Sequence, residues 1–531
     1  MGRKIELLLN DAIYNAGILG FLKVCEHGGL YVEKVGATIS FDRDILENFT
    51  EHYFDTLIDV FGDDTVYHEL LNRYEKISSN KDIEGYTKIF DDEFKYIKEK
   101  MQRNSYIAAF AIIKARGETY DFAGVIKQIK NESDYEIKFT LLAELMQKVA
   151  SYSDVFMLKD IAYTKVQPFW NGVGFLHKTA NKTEFKETFT KGFLQKIIDF
   201  EPLDPKKKGI NCIQCDVKMN QTTGFGISWI NDLGIDAGKK HNHYWNFNVD
   251  SFICPICALV YACIPLGFTM KGSEGIFINQ NKGIKSMSNA NSIPLLKNTE
   301  QKSDLYYTVL DGFIQNIQEQ NAKNEIENIQ VIRRTENMYT FNILSRDKLK
   351  VFYECKKNFA NLVGKFYQLN GEYVNIYRDV LNRVMDGRNF YPLIHIILYE
   401  GIKNGKPLWT VKDIINIQVN LFKKGDVAMN SKAVYGVMMR GNGLRIAMMG
   451  NGQNENKLKT LSYHLLNSLK TRNADSFMDI VLRQYMSLKL PVPAIFVDVL
   501  SEEDKFLDVG YAFVAGLNGA GIKNDAKEEE N

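Results

Sequence analysis

The sequence predicts an α+β fold: a large mixed N-terminal region with an embedded four-cysteine zinc module, followed by a C-terminal helical bundle. Three observations carry that expectation. Apolar residues recur at helical spacing from about residue 42 to 150 and again after 340. Between 160 and 335 the texture changes to short aromatic runs bounded by Gly or Asn, the pattern of strands and loops. Inside that middle stretch, four of the seven cysteines fall into two C-x-x-C pairs.

Taken in order, the opening MGRKIELLLNDAIYNAGILGFLKV starts positive, but Glu6 and Asp11 interrupt the apolar core that a signal peptide needs. Glu6 also stands where N-myristoylation wants Ser or Thr. Residues 42–74 place Ile45, Phe49, Phe54, Leu57, Ile58 and Phe61 on one helical face, broken at GDD and then resumed. Residues 84–150 read as further helix. YTKVQPFW, GFGISWI, YWNFNV and GIFIN read as strands and loops.

The paired motifs are Cys212 with Cys215 and Cys254 with Cys257, separated by 38 residues. A C-x-x-C turn lets two thiolates bind one ion, and two turns close a tetrahedron. A closed four-cysteine zinc site has no open position for water, so its expected role is structural. Cys263, His241 and His243 are weaker substitute ligands. The run SFICPICALVYACIPLGFTM reaches the usual span length of about 20 residues. It contains two prolines and half of the metal motif, so it reads as metal loop plus buried core. A chain without targeting signals, with cysteines in metal spacing, is expected in the cytoplasm.

From 340 onward, SRDKLKVFYECKKNFANLVGKFYQL reads as one long helix capped by Ser345, followed by helices at EYVNIYRDVLNRVMDG, NENKLKTLSYHLLNSLKT, ADSFMDIVLRQYMSLKL and SEEDKFLDVGYAFVAGLNG. Pro491 stops the fourth, and Ser501 with Asp504 resembles a capping box for the last. GNGLRIAMMGNG reads as loop. These elements divide the chain into an N-terminal domain, 1–335, with the zinc module at about 205–268, and a helical domain, 336–531.

Net charge is +1 but uneven. Residues 42–100 carry 16 acids against 8 bases, whereas 402–490 carry 14 bases against 5 acids. The basic stretch is an electrostatic footprint for a polyanion, with Arg440, Arg445, Lys457, Lys459 and Arg472 as candidate phosphate contacts. KKHNHYWNFN interleaves cations with aromatics, which suits backbone phosphates and unstacked bases, and makes Lys239, Lys240 and His243 candidates. KGIKSMSNANS reads as a loop in which Asn289 and Asn291 can address base edges. The chain lacks the Walker loop, H-E-x-x-H, G-x-S-x-G and the kinase motif set. Asp91 and Asp92 read as a solvated helix face. The sum describes a binding subunit rather than a catalyst.

The chain resembles the large subunit of a type I-B CRISPR Cascade effector complex, in the branch that carries a paired C-x-x-C zinc module. Three stretches carry the resemblance: FLKVCEHGG before DRDILENFTEHYFDTLIDVF, then CIQC with CPICALVYACIPLGF, then DKFLDVGYAFVAGL. The resemblance implies a non-catalytic subunit that recognises the protospacer-adjacent motif on target double-stranded DNA, sits near the crRNA handle, aids strand opening and R-loop stabilisation, and recruits a helicase–nuclease. It implies crRNA, Cascade backbone subunits and small subunits as partners, and no membrane. It also implies that the helical region resembles the small subunit, with Met385 and Met429 as candidate internal starts. Two other expectations stay open: a zinc-stapled nuclease or nucleotidyltransferase with a dispersed active site, and a scaffold that binds no nucleic acid.

Overall fold

The computed structural model describes residues 4–81, 83–232, 251–280, 282–292, 307, 309–310, 312–313, 329–335, 338–369, 371–405, 408–422, 429–496 and 503–520. The fold is α+β, with several small sheets and a helical C-terminal region. The chain divides into two compact units, Met1–Val309 with Ile329–Asn342, and Leu310–Asn328 with Ile343–Asn531.

The first unit is built around helix α1 (Ala12–His27). Asp11 caps it by accepting from the Ile13 and Tyr14 N–H groups. Twelve of its sixteen residues are buried, so it is wrapped rather than surface-laid. The buried Asn15 is satisfied by Asn10 and by the Asn279 side chain at 3.0 Å. Strands β1 (Lys4–Leu8), β2 (Glu33–Val35) and β3 (Thr38–Asp42) form an antiparallel sheet in the order β1-β3-β2, with Lys4 opposite Asp42.

Seven helices follow: α2 (Phe49–Phe61), α3 (Val66–Ser79), α4 (Tyr86–Met101), α5 (Asn104–Ala115), α6 (Phe122–Asn131), α7 (Tyr135–Ser151) and α8 (Ser153–Ile161). The break at Gly62–Asp64 is a single 3-10 turn. Helices α3–α8 enclose their own apolar core, from Tyr67 and Leu70 to Phe156. At its edge Asp160 is buried, accepting from the Tyr67 N–H and the Tyr106 hydroxyl, each at 2.9 Å. Burial pushes the Asp160 carboxyl up from 3.8 to about 6.

YTKVQPFW, expected as strand and loop, is helical over its first half, where α8 runs on into a π-turn, Ala162–Val166; residues 167–169 are turn and Trp170 bridges antiparallel to Ile230. That turn sends Val166, Phe169 and Trp170 into the main core. Two short helices, α9 (Phe185–Phe189) and α10 (Gln195–Ile198), were not foreseen; they flank a second π-turn, Thr190–Leu194. Their aromatic residues stack through the core, with Tyr53 against Phe189 at 4.5 Å and Phe193 against Phe225 at 5.8 Å.

The apolar run splits into α11 (Pro255–Ala262) and α12 (Ile264–Gly267). These lie backbone to backbone on α1. A Cβ on Gly20 would fall 1.9 Å from the Cys263 carbonyl oxygen, and one on Gly267 would fall 2.0 Å from that of Ala16. Only glycine permits this approach. The run is thus core, and no helix among the described residues is long and apolar enough to cross a membrane.

A four-stranded sheet closes the unit: β8 (Thr269–Lys271), β9 (Glu274–Asn279), β10 (Ile329–Arg334) and β11 (Tyr339–Leu344), ordered β11-β10-β9-β8. KGIKSMSNANS, expected as a loop, forms helix α13 (Ile284–Asn291), because Ile284, Met287, Ala290 and Asn291 bury one face.

The second unit holds α14 (Arg346–Glu354) and α15 (Lys356–Leu362), with Ser345 capping the first through the Lys348 N–H. The expected single long helix is therefore broken at Cys355. Its end, with the start of the next expected helix, forms a hairpin of β12 (Phe366–Leu369) and β13 (Glu372–Asn375). The remaining helices are α16 (Ile376–Asp386), α17 (Tyr391–Asn404), α18 (Trp409–Leu421), α19 (Ser431–Gly450), α20 (Glu455–Lys470), α21 (Ala474–Ser487) and α22 (Glu503–Leu517). Ser501 lies outside the described residues, and so does the capping box it would form.

GNGLRIAMMGNG is mostly helix rather than loop, since α19 runs through Gly441 and Gly443 to Gly450. A Cβ on Gly441 would fall 2.2 Å from the Phe513 carbonyl oxygen, and one on Gly516 would fall 1.9 Å from that of Met438. The glycines serve a close crossing of α19 and α22.

Candidate metal centre

Each half of the centre is a pair of short antiparallel strands beside a cysteine turn. Strands β4 (Ile210–Asn211) and β5 (Lys218–Met219) pair across the first turn. Inside it the Cys212 N–H donates to the Val217 carbonyl, and the Asp216 N–H donates to the Cys212 carbonyl, both at 2.9 Å. Asp216 takes a left-handed φ of 58°, and its carboxylate accepts from Asn211 at 2.8 Å. Asp is one of the few side chains that tolerate that backbone.

The second half starts from β6 (Phe225–Gly226) paired with β7 (Phe252–Ile253). Cys254 is the N-cap of α11, with Pro255 at the first helical position. The Cys257 N–H points at the Cys254 sulfur, 3.5 Å away, and the Cys254 N–H points at the Cys212 sulfur, 3.3 Å away. The Ile213 N–H donates to the Phe252 carbonyl at 3.1 Å, which stitches one half to the other.

The four Sγ atoms all lie within 4.8 Å of one another, with Cys215 and Cys254 3.6 Å apart. Thiolates about 2.3 Å from a tetrahedral ion are about 3.8 Å from each other, so the donor set fits such an ion. Cys212, Cys254 and Cys257 are buried, and Cys215 is partly exposed. Hydrogen bonds from Cys215, Cys254 and Cys257 hold the Cys212 thiol far below the usual range, while bonding to Cys212 and then Cys215 drives Cys257 well above it. Sulfurs this close share protons unless a cation compensates their charge. Backbone N–H groups and the positive end of α11 favour the ionised set. The four residues can hold a metal ion.

The centre is docked on α1. Gln214, between the first two cysteines, accepts from Asn10 at 2.9 Å and donates to Asp11 at 2.7 Å and to the Tyr261 hydroxyl at 2.5 Å. The Tyr14 hydroxyl stands 3.3 Å from the Cys257 sulfur, placed to donate to a thiolate. Ligand turns, the cap of α1 and the Gly20–Cys263 contact therefore form one assembly. Cys263 stands outside the four-sulfur cluster, fully buried, with burial pushing its thiol up.

The nucleic-acid candidates are dispersed. Lys239, Lys240, His241 and His243 lie outside the described residues. Asn291 is buried and committed to the backbone: it accepts from the Ile278 N–H at 2.9 Å and donates to the Ile278 and Met287 carbonyls at 2.8 and 2.9 Å. It ties α13 to β9. Asn289 is exposed and lines a cavity of about 460 Å³ with Lys34, Lys282, Lys285 and Ser286. Lys34 was not foreseen there; it comes from β2, some 250 residues away in sequence. Arg440 and Arg445 lie on α19, Lys457 and Lys459 on the first turns of α20, and Arg472 in the turn after α20 with φ 55°.

Residues 205–269 match the family model of a CRISPR-associated protein (Cas_CXXC_CXXC), which brackets both cysteine turns, α11 and α12. Comparison with curated proteins gives no match, and comparison with solved structures gives none.

Proposed function

We propose that the chain is the large, non-catalytic subunit of a type I-B CRISPR RNA-guided surveillance complex. The observation that carries this reading is the CRISPR-associated match over residues 205–269, which falls on a complete four-sulfur centre built into the core of the first unit. The resident ion is zinc, held by Cys212, Cys215, Cys254 and Cys257. When bound it compensates the thiolate charge and contributes folding energy, with no open position for catalysis.

In this reading the chain recognises the protospacer-adjacent motif on double-stranded DNA, aids strand opening, stabilises the R-loop and recruits a helicase–nuclease, while the guide pairs with the target. Asn289 with Lys282 and Lys285 is the favoured contact in the first unit, supported by its exposed position on a basic cavity. Arg440, Arg445, Lys457, Lys459 and Arg472 supply sequence-independent phosphate affinity in the second.

The test is the RNA that travels with the chain. Tagged chain expressed with its genomic neighbours and a repeat–spacer array should co-purify a processed guide RNA and the backbone subunits. Recovery of the chain alone, or with bulk RNA that ignores the array, would refute the reading.

A further inference from the structure

The second unit carries a groove that the sequence reading did not assemble. Helices α14, α15, α18 and α19 enclose a space of about 770 Å³. Lys356, Lys357, Lys412 and Lys432 line it from three different helices. Lys357, Lys412 and Lys432 make no ion pair among the described residues.

The two carboxylates of the groove are otherwise engaged. Glu354 faces Lys350 at 3.9 Å. Asp413 accepts from the Asn358 and Asn361 amides at 2.7 and 3.2 Å, and burial raises its pKa from the ordinary value.

Aromatic faces complete the lining. Tyr435 is 45% exposed, with Lys412 at 5.1 Å from its ring centroid, and Tyr353 is half-buried, with Lys356 at 5.8 Å. Asn416 lies at the groove wall on the same face of α18 as Lys412 and Asp413, only 4% exposed, and its Oδ1 is buried without a donor among the described residues. Cations without ion pairs among the described residues, beside an exposed tyrosine, suit a phosphate and an unstacked base together.

We propose that this groove binds a nucleotide unit of a single strand: the lysines hold its phosphates and Tyr435 stacks its base. A single strand is required because a duplex hides base faces in its stack, whereas an unstacked base offers both face and edge. The proposal deepens the proposed function and rests on its nucleic-acid-binding part, not on motif recognition.

The test measures binding of fluorescein-labelled single-stranded DNA and RNA 12-mers to the full chain by anisotropy, across a salt series. Lys412→Glu with Lys432→Glu should weaken binding about tenfold or more and flatten the salt slope. Tyr435→Ala should weaken it roughly five- to tenfold with the slope kept.

Lys403→Glu with Lys470→Glu makes the same charge change at exposed positions on α17 and α20, outside the groove. An equal loss there would show general electrostatics and overturn the groove. Free nucleoside monophosphate that competes with the strand at micromolar concentration would overturn the strand in favour of a mononucleotide site. If the assembled complex binds DNA normally and the groove variants match the wild type, the groove fails alone. If the chain and its assembly bind no nucleic acid, the proposed function fails with it.

Discussion

Replacing Gly20 with Ala tests whether the α1–α12 contact is what seats the metal centre. Two effects oppose each other. Alanine is the better helix former by about 1 kcal/mol, so propensity alone predicts stabilisation. Against it, the new Cβ would fall 1.9 Å from the Cys263 carbonyl oxygen and 2.9 Å from its carbon. Both are backbone atoms and cannot rotate away. A carbon–oxygen contact relaxes only beyond about 3.2 Å, so the helices must part by more than about 1 Å in a core packed at crystal density. Overpacking of this kind costs about 1–3 kcal/mol, and a fixed backbone obstacle places this case at the upper end. The expected net is a destabilisation of about 2 kcal/mol. The assay is urea unfolding of the full chain followed by fluorescence of the buried Trp170 and Trp229, both in the first unit. Gly436→Ala is the control: it lies in α19 with nothing within 4 Å of a built Cβ, and should stabilise by about 0.5–1 kcal/mol where its own unit melts. A Gly20→Ala protein as stable as the wild type would refute the close-approach argument.

Three further outcomes follow from the same geometry. Cys212→Ser with Cys254→Ser should abolish bound zinc, read by inductively coupled plasma mass spectrometry, and expose Trp170 and Trp229 to quenchers, since structural zinc contributes folding energy. Wild-type protein purified without chelators should hold one zinc per chain, and none would defeat the closed-site account. Asp160 has its folded pKa raised to about 6 from 3.8, so the folded state holds the proton more tightly. Its contribution is present in full below pH 3.8 and is lost as pH rises through about 6, amounting to about 3 kcal/mol. Asp160→Asn should remove that slope from the pH–stability curve between about pH 4 and 6; an unchanged slope would show that the carboxyl titrates normally.

The helices of 42–74 and 84–150 were readable because each buries one face at helical spacing, and Ser345 stands where a cap belongs. The cysteine turns were readable because two thiolates on one ion impose their spacing. Other features depend on partners distant in the chain. Gly441 looks like a loop residue until Phe513 is placed 2.2 Å from where its Cβ would be. The run 163–170 has strand composition, yet its first half continues α8 as a π-turn, residues 167–169 are turn, and only Trp170 makes a strand-like bridge, to Ile230. FYQL and EYVN pair as a hairpin through a turn at Gly371, with φ 90°, and either stretch alone fits a helix. The lysine groove draws on helices 346–354, 356–362, 409–421 and 431–450, and no single stretch announces it. Asn289 and Asn291 are two residues apart and look equivalent in sequence, but helix α13 turns one to solvent and the other into the core.

The central claim is most directly tested by DNA binding of the assembled complex. The chain, its genomic neighbours and a defined guide RNA would be co-purified, and the affinity for duplex targets that differ only in the flanking motif would be measured with and without the chain. The account predicts binding that depends on the motif and is lost when the chain is omitted. Motif-independent binding, or equal binding without the chain, would contradict it.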